Sequence, residues 1–292
     1  KNARYYHAML LPGMVFLIVF SIVPMGGLVM AFQNFIPAKG ILGSQFIGLD
    51  NFKRLFLMPD FWQILQNTLI IAVSKVILGT LAAIIFALLL NECRNVLYKR
   101  IIQTVVYLPH FLSWVILAVM FSNLFSYTGV VNQIVMSMGG EPTMFLIDNG
   151  WFRPILIGTD VWKEFGYNAV IYVAAMTSID PTLYEAGDID GANRWQKIVH
   201  IPLPAILPTI VLMTTLNMGQ VLNAGFDQVY NMYSPLVYRT GDIIDTYVYR
   251  TGLENIQYSL ATAVGLFKSV ISFGLLASAY KLADKVCGYR IF

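Results

Sequence analysis

The chain has 292 residues, 57% hydrophobic and 12% charged, with a formal net charge of +3. Soluble domains carry about 25% charged residues, and here the apolar residues gather into long runs, which excludes a pair of ordinary water-soluble domains. Two cysteines, Cys93 and Cys287, with no CxxC spacing, exclude a disulfide framework.

Taken in chain order, six runs are long and apolar enough for membrane helices: 9–32, 61–91, 101–126, 154–177, 205–226 and 258–280. Such a helix needs roughly 20 mostly apolar residues. The runs are continuous rather than alternating, so they predict helices and not the roughly 10-residue strands of a membrane barrel. The first run is too long for the apolar region of a signal peptide and contains Pro24, so it is expected to be retained. The predicted fold is an all-α membrane protein with six transmembrane helices. No internal repeat, low-complexity tract or linker interrupts it, and 1–292 is expected to form one transmembrane domain.

Six spans put both termini on one side. With the amino-terminal side cytoplasmic, Lys1, Arg4, Arg94, Lys99, Arg100, Arg194, Lys197, Lys281, Lys285 and Arg290 lie inside, and Lys39, Lys53, Arg54, Arg153, Arg239 and Arg250 outside. That is ten against six, the other three of nineteen basic residues, Lys75, Lys163 and Lys268, lying within spans. The positive-inside rule selects this orientation. Both cysteines then face the cytoplasm, where thiols stay reduced. The loops 33–60, 127–153 and 227–257 face outward and are rich in Asn, Gln, Gly, Pro and aromatic residues.

The cytoplasmic segment between the fourth and fifth runs, "YEAGDIDGANRWQKIVHIPLPAILP", is the most polar connection. Asp180-Pro181 is a helix start, since Asp caps amide groups and Pro suits the first helical position. A short helix is predicted from Thr182 to about Gly187, then a turn at Asp190-Gly191, with Asp190 capping a second helix on which Ala192, Trp195 and Val199 share a face. Pro202, Pro204 and Pro208 end it. Isolated helices below about 12 residues are marginal in water, so this knuckle needs something to dock on: its own bundle, the lipid interface or a partner.

Glu185-Ala186-Gly187, then Asp190-Gly191-Ala192, then Ile201-Pro202-Leu203-Pro204 resemble the EAA motif of ABC import permeases. Gly187 departs from the Ala of that pattern, a change that costs a helix up to about 1 kcal/mol. The likeness continues through "MLLPGMVFLIVFSIVPMGGLVMAFQNF", "GFDQVYNMYSPLVYRTGDIIDTYVYR" and "YSLATAVGLFKSV", which are similar to the MalF/LplB-like carbohydrate permeases of type I ABC importers. The resemblance implies a coupling loop at about 178–204, in which Glu185, Ala186, Gly187, Asp190, Gly191 and Ala192 meet an ATPase. Glu185 would be the polar or ionic anchor, and the small residues would permit close approach. Arg194 and Lys197 would meet the ATPase surface or lipid headgroups. The resemblance further implies a second homologous permease, two ABC ATPase subunits that hold ATP and Mg, and an external solute-binding protein. The setting would be the bacterial cytoplasmic (inner) membrane, and the cargo an oligosaccharide, acidic alginate-like ones included.

This chain has no GxxxxGK[ST], GxSxG, HExxH or Cys/His cluster, so no P-loop nucleotide site, catalytic centre or metal site of its own is expected. Its histidines are His7, His110 and His200; His110 follows Pro109 and is expected to serve packing or a kink. Charged and amide side chains within spans mark the candidate substrate path. Asn217, Gln220, Asn223 and Asp227 recur every three or four residues, which predicts one helical face; Asn168 and Tyr172 are four apart on the fourth run. Amides donate and accept hydrogen bonds as sugar hydroxyls require. The bland alternative is interhelical bonding, worth about 0.6 kcal/mol on average. Lys75 and Lys268 either pair within the bundle or meet an acidic sugar, and Lys163-Glu164 reads as a structural charge pair. The reading is a carbohydrate-importer permease, a transport subunit and not an enzyme. The rivals are an ion-coupled carrier, whose inverted repeats or broken midplane helices are not evident in the sequence, and a membrane-embedded glycan or lipid enzyme, whose catalytic constellation is missing.

Overall fold

The computed structural model describes residues 3–287, with side chains from 6 to 281. The side chains of Lys1, Arg4, Lys285, Cys287 and Arg290, used above for orientation and thiol count, lie outside that description. The chain divides into two compact units, one of Lys1–Gln63 with Ile244–Val270, the other of Ile64–Ile243 with Ile271–Phe292.

Among the described residues three helices are long and apolar enough to cross a membrane: Tyr6–Phe32, Phe61–Asn91 and Tyr258–Lys281. Two bent pairs bring the number to five if each is one span. Three of the six expected spans, 101–126, 154–177 and 205–226, therefore fall outside these three helices; two of them are broken, where unbroken helices were expected from the sequence. The run 101–126 is two helices, Val96–Phe111 and Trp114–Leu124, meeting at 101°. Pro109 lacks an N–H and tightens Leu108–Phe111 into a 3-10 turn, and the extended Ser113 then caps a new helix through Ile116 N. The run 154–177 is one helix, Phe152–Met176, of sufficient length, but Arg153, Asp160, Lys163 and Glu164 leave it outside the apolar candidates. The run 205–226 is Leu207–Gly219 only, bent by 56° from the helical segment Arg194–Ala205.

In the first unit, Tyr6–Phe32 is apolar all round, and Phe16, Phe20 and Val23 stand exposed. That is the surface expected of a helix facing lipid or a partner chain. Its regular turn widens at Ile18–Ile22 just before Pro24, whose ring cannot sit against the Phe20 carbonyl. A two-residue antiparallel ladder, Gln33 opposite Phe46 and Asn34 opposite Gln45, follows. Buried Asn51 donates from Nδ2 to Ala31 O (2.9 Å) and Gln33 O (3.0 Å), tying the Asp50–Leu57 helix to the end of the span. Phe56, Phe61 and Phe267 pack edge to face at 5.4–5.7 Å, the geometry ring quadrupoles favour.

In the second unit the larger core gathers Ile71, Leu117, Phe152, Leu156, Leu222 and Val229. A smaller cluster joins Ala83, Ala87, Ala169, Tyr172, Met176 and Ile206. Lipid tails are as apolar as leucine, so packing rather than escape from water holds membrane helices together, and small residues let backbones approach. Ala83, Ala87 and Ala169, all fully buried, supply that approach. Arg153 donates to Asn67 Oδ1 (2.7 Å) and Thr240 O (3.2 Å), while Asn67 Nδ2 reaches Asp242 O at 3.1 Å. The segment before Ile244 is thus pinned to two helix starts, and it is ordered rather than merely solvated.

Candidate functional site

Two regions are candidates for a functional role, a polar cavity in the second unit and the knuckle. The cavity, of about 210 Å³, is lined by Lys75, Asp160, Glu164, Asn168, Asn217 and Gln220, with Thr80, Asn223 and Gly225 also on its wall. Lys75 projects from the Phe61–Asn91 helix and is 9% exposed. Its ammonium donates to Ala224 O (2.8 Å), to Gln228 Oε1 and to Asp160 Oδ1 (3.1 Å). An ammonium has three protons, and these acceptors use all three. Gln228, fully buried, donates in turn to Leu156 O and Thr159 Oγ1, both at 2.8 Å. Beside it, Glu164 takes Lys163 on Oε1 (2.7 Å) and His110 Nδ1 on Oε2 (2.6 Å). The His110 ring stacks on Tyr167 at 3.8 Å, and Lys163 also reaches His110 O at 2.9 Å. The charges are balanced within the wall, leaving amides as its main hydrogen-bonding surface.

The break after Gly219 makes this cavity. Gln220 N bonds back to Asn217 O (3.0 Å) and Asn223 N to Gln220 O (2.8 Å), so the chain turns instead of continuing as helix. Gly225, at φ +91°, starts the next helix, Phe226–Met232, in the left-handed region. A Cβ there would also stand 2.7 Å from Lys75 Nζ. Asn217, Gln220, Asn223 and Asp227 therefore do not share one helical face. The sequence pattern misleads because Val221, Leu222 and Ala224 continue the apolar run, yet they are buried core residues of a turn whose carbonyl Lys75 satisfies.

The structure brings together five of the eight candidate path residues, Lys75, Asn168, Asn217, Gln220 and Asn223. It leaves out Tyr172, buried in the smaller core, Asp227, exposed on the following helix, and Lys268, which pairs with Asp245 at 2.5 Å in the first unit. Sequence reasoning missed Asp160, Thr80 and Gln228. The spacing of four from Asp160 to Glu164 to Asn168 was a readable signal of one helical face.

The knuckle is two short helices, Thr182–Ile189 and Arg194–His200. Asp180 Oδ1 accepts from Thr182 N at 2.9 Å, and the bonds from Thr182 hold the Asp180 carboxyl below the usual carboxylate range. Asp190 does not cap the second helix; it closes the first. Gly191, at φ +71°, adopts the left-handed conformation, and Ala192 N returns to Gly187 O at 2.9 Å, the helix-ending pattern that glycine favours. The cap is Asn193: its Oδ1 accepts from Gln196 N (2.9 Å) while Gln196 Oε1 accepts from Asn193 N (2.8 Å), a complete capping box. Ala192 therefore precedes the second helix rather than sharing its face. Lys197 pairs with Asp188 across the two helices, and Asn91 Nδ2 reaches Tyr184 OH at 3.4 Å. Gly187 faces Ile201 and Lys197, and an alanine Cβ there would meet them at an ordinary 3.7 Å. Glu185, Ala186, Asp190 and Gly191 are exposed, as are Leu183 (52%), Ile189 (86%) and Trp195 (72%).

The chain is similar to known proteins over nearly its whole length. The family described as "Binding-protein-dependent transport system inner membrane component" matches residues 75–286. Protein LplB of Bacillus subtilis (strain 168) is 42% identical over 286 residues, covering 98% of this chain and 90% of that protein. The polygalacturonan/rhamnogalacturonan transport system permease protein YteP of the same strain is 42% identical over 283 residues, covering 97% of this chain and 88% of its own. A chain from the crystal structure of a bacterial alginate ABC transporter, in complex with an alginate pentasaccharide-bound periplasmic protein, superposes with a TM-score of 0.89. It is 38% identical and covers 98% of this chain and 95% of its own.

Proposed function

Since this chain belongs to the family of binding-protein-dependent transport system inner membrane components, we propose that it is the permease through which an ATP-driven importer passes oligosaccharide across the bacterial cytoplasmic membrane. It is a transport subunit and not an enzyme. The observation that carries the cargo class is 42% identity, over 97% of this chain, to a polygalacturonan/rhamnogalacturonan permease. The amide-lined cavity supports it. Asn168, Asn217, Gln220 and Asn223 supply the two-way hydrogen bonding that hydroxyls need, at a wall whose charges are already paired. On this reading Lys75 holds the cavity's shape by its three bonds within the chain, and Lys268 with Asp245 does not line the path.

The partners on this reading are a second, homologous permease, two ABC ATPase subunits that hold ATP and Mg, an external solute-binding protein and membrane lipid. Both termini and the knuckle face the cytoplasm, and the whole chain acts as one permease domain. Glu185 anchors the knuckle in the ATPase, with Ala186, Gly187, Asp190, Gly191 and Ala192 forming the close-approach surface. The exposure of Leu183, Ile189 and Trp195 leaves apolar surface on the knuckle for such a contact. ATPase motion then reaches the cavity as rigid-body displacement of the segments the knuckle joins. The test is uptake by proteoliposomes holding the complete complex: ATP- and binding-protein-dependent accumulation of oligosaccharide is expected. Accumulation driven by an ion gradient without ATP would refute the reading.

A further inference from the structure

We propose that Phe226, Tyr230, Tyr233 and Tyr238 form a sugar-stacking track that guides an oligosaccharide toward the polar cavity, an inference that rests on the carbohydrate-import reading above. The rings run in sequence, with centroid separations of 5.3 Å, 6.2 Å and 5.1 Å. The helix Phe226–Met232 places the first two rings, while Tyr233 follows its last residue and packs partly buried against the larger core, and Tyr238 starts a further short helix. The helix Phe226–Met232 buries Gln228, Val229 and Met232 in the core and leaves Asp227, Tyr230 and Asn231 exposed on its other side, with Phe226 half-buried. Asn223 and Gly225 line the cavity wall, and Phe226, the first ring of the track, is the next residue in the chain.

The chemistry fits a pyranose chain. A pyranose ring has faces of C–H groups and a rim of hydroxyls. Laying the C–H face on an aromatic ring removes apolar surface from water without stripping the hydroxyls, which then need partners at the ring's edge. Asp227 offers a carboxylate acceptor. Asn231 has its Nδ2 held by Asp227 O at 2.7 Å and keeps Oδ1 as an acceptor. Because each ring is braced by the next, the platform is ordered before the sugar arrives, which lowers the entropy cost of binding. Stacking reads the ring plane rather than each hydroxyl, so the track suits passage of successive units. Its contribution grows with the number of sugar units lying on it.

The test uses the complete importer in proteoliposomes, with di- and pentasaccharides of alginate and of polygalacturonate as probes. Tyr230→Ala and Tyr233→Ala should each raise the pentasaccharide KM by roughly 2- to 10-fold, with the disaccharide KM nearly unchanged. Tyr230→Phe should behave as wild type, and Tyr230→Leu, which keeps apolar bulk without a flat face, should behave as Tyr230→Ala. Copurification of partner subunits and basal ATP hydrolysis check assembly. Unchanged KM at both lengths in the alanine and leucine variants would overturn the track. So would equal loss at both lengths with weaker copurification, which would place the rings at a protein interface. Failure of the wild-type importer to take up either series, or neutral oligosaccharides offered in the same assay, would remove the carbohydrate reading itself, and the track with it.

Discussion

The wall around Lys75 and the knuckle from Thr182 to His200 are both polar segments in an oily chain, and they dispose of their polarity in opposite ways. Around Lys75 the charges are turned inward and matched: three acceptors for one ammonium, and two donors for the Glu164 carboxylate. In the knuckle the backbone ends are satisfied by a capping box and a glycine turn, but Glu185, Ile189 and Trp195 are left outside. Polarity completed within the chain sets shape. Side chains left outside, apolar ones above all, anticipate contact with something else. The same physics that makes an unpaired buried charge costly therefore separates polar residues that shape this chain from those that the proposed function leaves free for contact.

The sharpest way to break that contrast is to remove one partner from the inward-turned region. Lys75→Met strands Asp160 and the Ala224 carbonyl, and the variant should lose about 3–5 kcal/mol of stability, read as a fall in the thermal midpoint of the detergent-solubilised complex. Adding Asp160→Asn should recover part of the loss. A single variant as stable as wild type would show that Lys75 does not hold the wall.

The distinction was only half legible in the sequence. Long apolar runs at Phe61–Asn91 and near the carboxyl end announced their helices, because nothing in them competes with helix formation. The bend at Pro109–Ser113 carried a local signal, a proline followed by a capping serine, which hydrophobicity outweighed. The break after Gly219 carried almost none, since the Ala224 carbonyl is satisfied by a lysine 149 positions earlier in the chain. A tertiary bond of that kind leaves no mark in local spacing. The cavity's amides were identifiable by type, while their assembly depended on a turn that periodicity reads as helix. In the knuckle the turn at Asp190-Gly191 was readable, but Asp190 and Asn193 are both good caps and only the bonding pattern decides between them.

Smaller effects refine the contrast. Gly191→Ala forces a side chain into the left-handed region at a cost of about 1–2 kcal/mol, and should weaken ATPase copurification while leaving the cavity intact. Asn217→Ala should act the other way, raising the uptake KM about 5-fold for the loss of one hydrogen bond of roughly 1 kcal/mol, with assembly unchanged. Loss of assembly in that variant would make Asn217 an interhelical tie instead. The least effect is expected of Gly187→Ala. It fits the available space and should stabilise the knuckle by up to about 1 kcal/mol, measured as slower amide hydrogen exchange across Thr182–Ile189.

The most direct measurement of the central claim compares ATP hydrolysis with oligosaccharide uptake in the same proteoliposomes for wild type and Glu185→Lys. Reversing a charge at a docking contact is worth several kcal/mol, while Glu185 is exposed and the fold does not depend on it. The account predicts that uptake collapses by roughly 10-fold or more, with protein level and the Lys75 wall unaffected and hydrolysis no longer tied to transport. Uptake and coupled hydrolysis both at wild-type levels would contradict it, and would mean that the knuckle is not where this permease meets its motor.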